Sequence, residues 1–318
     1  MSRISRRNVL AGALAVLGGS LWGRTGAARA ASTAIGPGGF RFVHLTDIHV
    51  QPELRAAEGL AACLQAVNKL DPKPDFIMTG GDLIMDALET SSERASMLFD
   101  LFKKVVADNT DIPVRHCMGN HDVFGWGRKH GVTEETAGFG KQMYCEKLQI
   151  ERPYYAFDHR GWRFYVLDSV QPSESGLYQG GLDEEQLAWL HQDLSNKPAD
   201  TPAVVVSHIP FLTVTVLPDA VKDGAFRIGP ATICAGSQSL AGVFAAHGVR
   251  LAVSGHIHML DEVLYRGVKY VCNAAVSGRW WKGANKGFPE GFGVFDLTPD
   301  GAAQFTYQTY GWQAEQQS

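Results

Sequence analysis

Five short segments of this 318-residue chain concentrate side chains that can hold a cation or move a proton. They are Asp47-Ile48-His49, Gly80-Gly81-Asp82, Gly119-Asn120-His121-Asp122, Ser207-His208 and Gly255-His256-Ile257-His258. An Asn amide oxygen is a poor nucleophile and a poor base but a usable hard ligand, whereas a His exchanges a proton near neutral pH. In Asn120-His121, one residue therefore suits a metal and its neighbour suits proton transfer. Taken singly, each segment has an ordinary reading, since Asp or Asn after a strand is a common turn former and a lone His is commonly packed or solvated. Taken together, Asp47, His49, Asp82, Asn120, His208, His256 and His258 make an oxygen and nitrogen donor set without a thiolate. Such a set suits Mn, Fe or Zn rather than Cu(I) or an iron–sulfur cluster.

Seven donors are too many for one ion, and a carboxylate can bridge two, so the set divides around one shared Asp. Two cations about 3.5–4 Å apart clamp a phosphoryl oxygen and activate a hydroxide at neutral pH. The i, i+2 spacing of Asp47 and His49, and of His256 and His258, predicts that each pair projects to one side of an extended backbone.

The elements that must bring these residues together alternate along the chain. Apolar runs at 40–45, 76–79, 114–118, 203–206 and 251–253 read as buried strands, and each runs out just before one of the candidate residues. Segments 54–70, 92–107, 182–194 and 239–246 have helical spacing. Hairpins are predicted at 154–167 around His159-Arg160-Gly161, at 262–272 around Arg266-Gly267, and at 292–307 around Pro299-Asp300-Gly301. In a largely parallel sheet, Asp47, Asp82, Asn120, His208 and His256 would all collect at the carboxyl edge, where open α/β sheets bind ligands. No linker, repeat or low-complexity run interrupts residues 31–318, so a single layered domain is expected there.

Residues 1–30 read as an export signal. Arg3, Arg6 and Arg7 precede an apolar stretch from Val9 to Trp22, and Ala28-Arg29-Ala30 offers a small-x-small cleavage site. The apolar stretch is short for a membrane span, so no stable span is expected after cleavage. Ser5-Arg6-Arg7-Asn8-Val9-Leu10 resembles the twin-arginine pattern, with Val9 where Phe is preferred; an ordinary secretory signal with an incidental Arg pair is the alternative. The twin-arginine machinery moves folded proteins, which implies cofactor loading in the cytoplasm and a periplasmic or secreted location. Without the five arginines of that segment, 24 basic residues face 33 acidic ones, a formal charge of −9. An acidic surface with no Lys/Arg run makes a nucleic-acid polymer an unsuitable partner. Five cysteines, an odd number without C-x-x-C spacing, give no Cys-based zinc site, and Cys117 and Cys272 read as buried small hydrophobes.

The ordered set from Asp47 to His258 resembles the calcineurin-like metallophosphoesterases. The resemblance implies a four-layer α/β/β/α sandwich of two mixed β-sheets flanked by helices, with a dinuclear metal site at the carboxyl edge of the strands. It implies Asp47, His49, Asp82 and His258 on one ion and Asp82, Asn120, His208 and His256 on the other, with Asp82 as the bridge. It also implies His121 near the leaving-group oxygen as general acid, with Asp122 as an orienting partner. Purple acid phosphatases place a Tyr ligand three residues after the bridging Asp; here that residue is Met85, so a tyrosinate centre is not expected. The pattern more closely resembles bacterial cyclic-nucleotide phosphodiesterase-like members. The expected activity is therefore hydrolysis of a small phosphodiester by a metal-bound hydroxide. The same centre acting on phosphomonoesters is the alternative, and a noncatalytic scaffold is disfavoured by the complete ligand set. Around the rim, Trp280 and Trp281 either stack a base or an acyl or aromatic leaving group or simply pack, and the loop 123–144 with Trp126, Arg128 and Lys129 is a second candidate wall.

Overall fold

A computed structural model describes residues 35–174, 177–222 and 224–315. The export-signal segment lies outside the described residues. In chain order the elements are β1 (Phe40–Leu45), α1 (Ala56–Asn68), β2 (Phe76–Thr79), α2 (Ser92–Asn109), β3 (Val114–Arg115), α3 (Gln142–Leu148), β4 (Tyr155–His159) and β5 (Trp162–Val166). The short pair β6 (Val170–Gln171) and β7 (Gln179–Gly180) follows, then α4 (Glu184–Asn196) and β8 (Ala203–Val206). After a second short pair, β9 (Val221–Lys222) and β10 (Ala225–Phe226), come α5 (Ser237–Ala246), β11 (Val249–Ser254), β12 (Asp261–Tyr265), β13 (Val268–Cys272), β14 (Gly291–Leu297) and β15 (Ala303–Thr309).

Two mixed sheets carry the fold. One has the order β15-β14-β1-β2-β3 and the other β12-β13-β11-β8-β5-β4. In the first, β1, β2 and β3 run parallel; in the second, β5, β8, β11 and β13 do. All six residues of β1 are buried, as a strand covered on both faces requires. Its Phe40 and Phe42 enter the core between the sheets with Phe76, Trp162, Phe164, Val204, Val253 and Phe295. Phe42 lies 5.4 Å from Phe76 and 4.8 Å from Phe295, both stacked, and meets Phe164 edge-on at 5.5 Å. Val43 and Leu45 face the other way, into the apolar layer that includes Leu60 and Leu64 of α1 and Phe99 and Phe102 of α2. Leu190 and Leu194 of α4, and Leu240 and Phe244 of α5, cover the outer face of the second sheet. The result is an α/β/β/α sandwich. Side-chain caps start two of the helices: Ser91 accepts from the Arg94 amide at α2 and Asp183 from the Gln186 amide at α4.

Candidate metal centre

The candidate ligands come from the carboxyl ends of strands in both sheets. Asp47 and His49 follow β1, Asp82 follows β2 and Asn120 follows β3, whereas His208 follows β8 and His256 and His258 follow β11. The site thus straddles the joint edge of the sandwich. The Asp-x-His and His-x-His pairs do converge, but not on extended backbone. Asp47, His49, Asp82, His256 and His258 all have positive φ, between 48° and 72°. For residues with a Cβ this left-handed region costs about 1–3 kcal/mol each and persists where surrounding contacts enforce it, which is common at functional sites. Two glycines allow the loops to close on one another. A Cβ on Gly119 would stand 2.2 Å from the Asp82 amide nitrogen, and one on Gly255 only 1.9 Å from Thr46 Oγ1.

All seven expected ligands meet in one cluster. Asp47, His49 and His258 form one triplet of donor atoms and Asp82, His208 and His256 another, each within 4.8 Å. His258 Nε2 is 3.2 Å from both His49 Nε2 and Asp47 Oδ1. His208 Nε2 is 3.2 Å from His256 Nδ1 and 3.1 Å from Asn120 Oδ1. Asp82 Oδ2 lies between the groups, 3.5 Å from His49 Nε2 and 3.3 Å from His208 Nε2. Its other oxygen accepts the His121 amide at 2.8 Å, and Asp47 Oδ2 accepts from Thr46 Oγ1 at 2.7 Å and the His256 amide at 2.9 Å.

The donor set fits cations. His208 Nδ1–H donates to the Gly80 carbonyl at 2.7 Å, His258 Nδ1–H to Gly278 at 2.6 Å and His256 Nε2–H to Ala231 at 2.9 Å. In the neutral rings these bonds fix the tautomers so that each remaining lone pair faces the cluster, the arrangement expected of metal-ligating histidines. Two lone-pair nitrogens 3.2 Å apart gain nothing from each other, whereas a cation between such rings satisfies both. His49 Nδ1 is buried without a hydrogen-bond partner, so its other nitrogen, at the cluster, is the one with neighbours to engage.

Charge is shared within the cluster. Burial pushes the Asp47 carboxyl up, but His258 and His208 outweigh it and hold Asp47 well below the usual range. Asp82 is held low in the same way, by His208 and His121 against burial. Conversely, burial lowers His208, but Asp82 and Asp47 push it up to about 9. His256, where burial prevails and His208 adds repulsion, falls to about 4. Two buried carboxylates thus demand positive charge at this spot, from protons or from metal.

His121 sits beside the ligands and is partly exposed, its ring 4.8 Å from His49 in an edge-on contact. The carboxylate facing its ring is Asp86, with Oδ1 3.5 Å from Nδ1, close enough for an ion pair and long for a hydrogen bond. Burial pulls the His121 pKa down, but Asp82 and Asp86 push it up to about 9. Asp122 has other partners. Its Oδ1 accepts the Leu83 amide at 2.8 Å and its Oδ2 the Gly119 amide at 2.8 Å, so it clamps the Asp82 loop to the Asn120 turn.

The two tryptophans divide. Trp280 is exposed at the rim, its ring 4.8 Å from that of His258. Trp281 is buried, and its indole N–H donates to the His49 carbonyl at 3.0 Å. Asp86 and Tyr178, whose ring is 6.1 Å from that of His256, are site neighbours that sequence reasoning missed. Asp86 sits four residues past Asp82 in the same loop, the one available hint; nothing in the sequence marks Tyr178. All five cysteines are free, and none is near enough to join the donor set.

Residues 40–260 match the family model for calcineurin-like phosphoesterase, and the chain belongs to that family; it spans about 66% of the length of the serine/threonine-protein phosphatase relatives it matches. Among curated relatives, it is 29% identical over 228 residues to the serine/threonine-protein phosphatase CPPED1 of Homo sapiens, covering 71% of this chain and 66% of that one. A probable glycerophosphodiester phosphodiesterase GpdQ of Arcobacter nitrofigilis is 25% identical over 287 residues, covering 86% of this chain and 89% of the relative. A probable cyclic nucleotide phosphodiesterase of Rhodococcus erythropolis is 24% identical over 232 residues, 71% of this chain and 67% of that one. The fold is also that of a solved structure, GAP50, described as the anchor in the inner membrane complex of Plasmodium, with a TM-score of 0.52 at 14% identity over 86% of this chain and 85% of that one.

Proposed function

We propose that this protein hydrolyses small phosphodiesters at a dinuclear centre, with His121 delivering a proton to the departing oxygen. The observation that carries this reading is the position of Asp82 Oδ2, within 3.5 Å of His49 and 3.3 Å of His208, where one oxygen serves both ligand groups. Asp47, His49, Asp82 and His258 would hold one ion and Asp82, Asn120, His208 and His256 the other. Mn, Fe and Zn all suit these donors. Such ions, when bound, supply Lewis-acid stabilisation of the phosphoryl oxygens and a nucleophile at neutral pH. Asp82 holds the His121 backbone and Asp86 faces its ring, so the imidazole is fixed over the ligands with positive charge favoured. A protonated side chain poised there suits general-acid catalysis of leaving-group departure. Asp122 serves the same reaction indirectly, by keeping the Asn120-His121 turn against the Asp82 loop.

The diester preference draws support from the two bacterial relatives named as phosphodiesterases, one of which aligns over 86% of this chain. A monoester brings an extra charge and free oxygens that need donors beyond the metals. A second reading, phosphomonoester hydrolysis with the same residues, is favoured by the phosphatase relatives. Rates on bis(p-nitrophenyl) phosphate and p-nitrophenyl phosphate, measured with Mn-, Fe- and Zn-loaded protein, decide between them. A higher kcat/KM for the diester is expected, and the reverse order would install the second reading. For location we infer twin-arginine export of the folded protein to the periplasm or beyond, on the basis of Ser5 to Leu10. Replacing Arg6 and Arg7 by Lys should trap it in the cytoplasm; continued export of that variant removes the inference.

A further inference from the structure

The segment that carries His256 and His258 also walls a separate cavity of about 300 Å³. Ile257 and Met259 form one side of it, and Val216, Ala220 and Ile228 the other. The covering segment, 213–232, is anchored at both ends. Thr213 Oγ1 and the Val214 amide bond Asp261 Oδ2 at 2.7 and 2.6 Å, while the Ala231 carbonyl accepts from the metal-site residue His256 at 2.9 Å. Cavity and ligand cluster therefore share two strips of chain. Five of the nine lining residues, Val216, Ala220, Ile228, Ile257 and Met259, are apolar; Gly229, Thr232, Arg227 and Lys286 complete the lining.

The covering segment is also unusually apolar outside. Of the ten large apolar side chains exposed among the described residues, five, Val214, Leu217, Val221, Phe226 and Ile228, fall within these few turns of chain. Val221 and Phe226 are 65% and 61% exposed. A concentrated apolar rim of this kind marks a binding surface rather than the scattered hydrophobes of an ordinary exterior. Val216, Ala220, Ile228, Ile257 and Met259 offer a hydrocarbon chain an apolar wall that adjoins this exposed apolar rim in the chain.

We propose that this cavity takes the hydrocarbon chain of an amphiphilic phosphoester, an alkyl or acyl phosphodiester of the lysophospholipid type, whose phosphate then sits at the ligand cluster. The proposal rests on the phosphoesterase reading and narrows its substrate class. A series of p-nitrophenyl alkyl phosphates, methyl to octyl, tests it on Mn-loaded full-length protein. Each methylene buried should raise kcat/KM by about fourfold until the cavity is full, and Ile228→Asp should flatten that dependence. Calorimetric titration of the free alkyl phosphates, methyl to octyl, gives a readout that needs no turnover: Kd should tighten with chain length and lose this trend in Ile228→Asp. Turnover of the whole series at one rate, with a flat Kd, overturns the cavity and leaves the phosphoesterase reading standing. No turnover of any member, with Kd still tightening along the series, supports the cavity and overturns the phosphoesterase reading.

Discussion

Gly59→Ala sets helix propensity against packing behind the metal centre. Gly59 lies in the first turn of α1, where Ala is worth about 0.8–1.0 kcal/mol more than Gly on propensity alone. A Cβ at that position, however, would stand 2.1 Å from Cζ3 and 2.7 Å from Cε3 of Trp281. The indole is buried, meets Trp312 edge-on at 5.8 Å and is tied to the His49 carbonyl at 3.0 Å. Overpacking of this kind costs about 1–3 kcal/mol. If the ring retreats, a buried carbonyl loses its partner at about 1–3 kcal/mol more. Overpacking less the propensity gain leaves a destabilisation of about 0–2 kcal/mol, and loss of the carbonyl's partner brings it to about 1–5 kcal/mol. Because the ring is bonded to the carbonyl of the candidate ligand His49, affinity for the metal proposed to bind there should fall as well. Urea unfolding with and without Mn, together with metal titration, measures both effects. A Gly59→Ala protein that is more stable by about 1 kcal/mol, the propensity gain alone, with unchanged metal affinity, would refute the reasoning.

Three further outcomes follow from the site. His121→Ala should slow hydrolysis of esters with poor leaving groups by about 10²–10⁴-fold, with far less effect on p-nitrophenyl esters; equal losses on both would remove the proton-donor role. Asp122→Asn turns one of two oxygens that accept buried backbone amides into a donor, at a cost of about 1–3 kcal/mol, and an unchanged urea midpoint would contradict its clamping role. Burial depresses His44 to about 3 and His116 to about 4, against an ordinary value of 6.5. Since the unfolded chain then binds these protons first, the stability is fully present above pH 6.5 and is lost as pH falls below it. Each histidine should cost about 2 kcal/mol between pH 7 and pH 5. The urea midpoint should drop accordingly and His116→Gln should recover part of the drop; a midpoint independent of pH over this range would contradict it.

What could be read from the sequence is what repeats or alternates. Apolar runs such as Phe76–Thr79 and Ala203–Val206 are strands buried on both faces, and their ends announced where ligands would lie. The run 114–118 was a poorer guide. Only Val114 and Arg115 are paired as a strand, although the Cys117 amide still donates to the Thr79 carbonyl of β2 at 3.2 Å before the chain runs to Asn120. Helix α3, with only Met143 and Tyr144 buried, is too short to show a period. The left-handed backbone at five of the ligands has no signature in residue type, since it is imposed by loops packing across the two sheets. Trp280 and Trp281 are adjacent, yet one lines the rim and the other is interior, a choice made by α1 and the His49 loop rather than by the tryptophans. Asp86 and Tyr178 reach the site through loop geometry alone.

The central claim is that Asp82 joins two ions in one centre, and metal content tests it most directly. Protein stripped with chelator, reloaded with Mn and passed over a desalting column should hold two ions per chain, and Asp82→Ala should hold fewer than one because both sites lose a ligand. One ion per chain in the unaltered protein, or two retained in Asp82→Ala, would contradict the account.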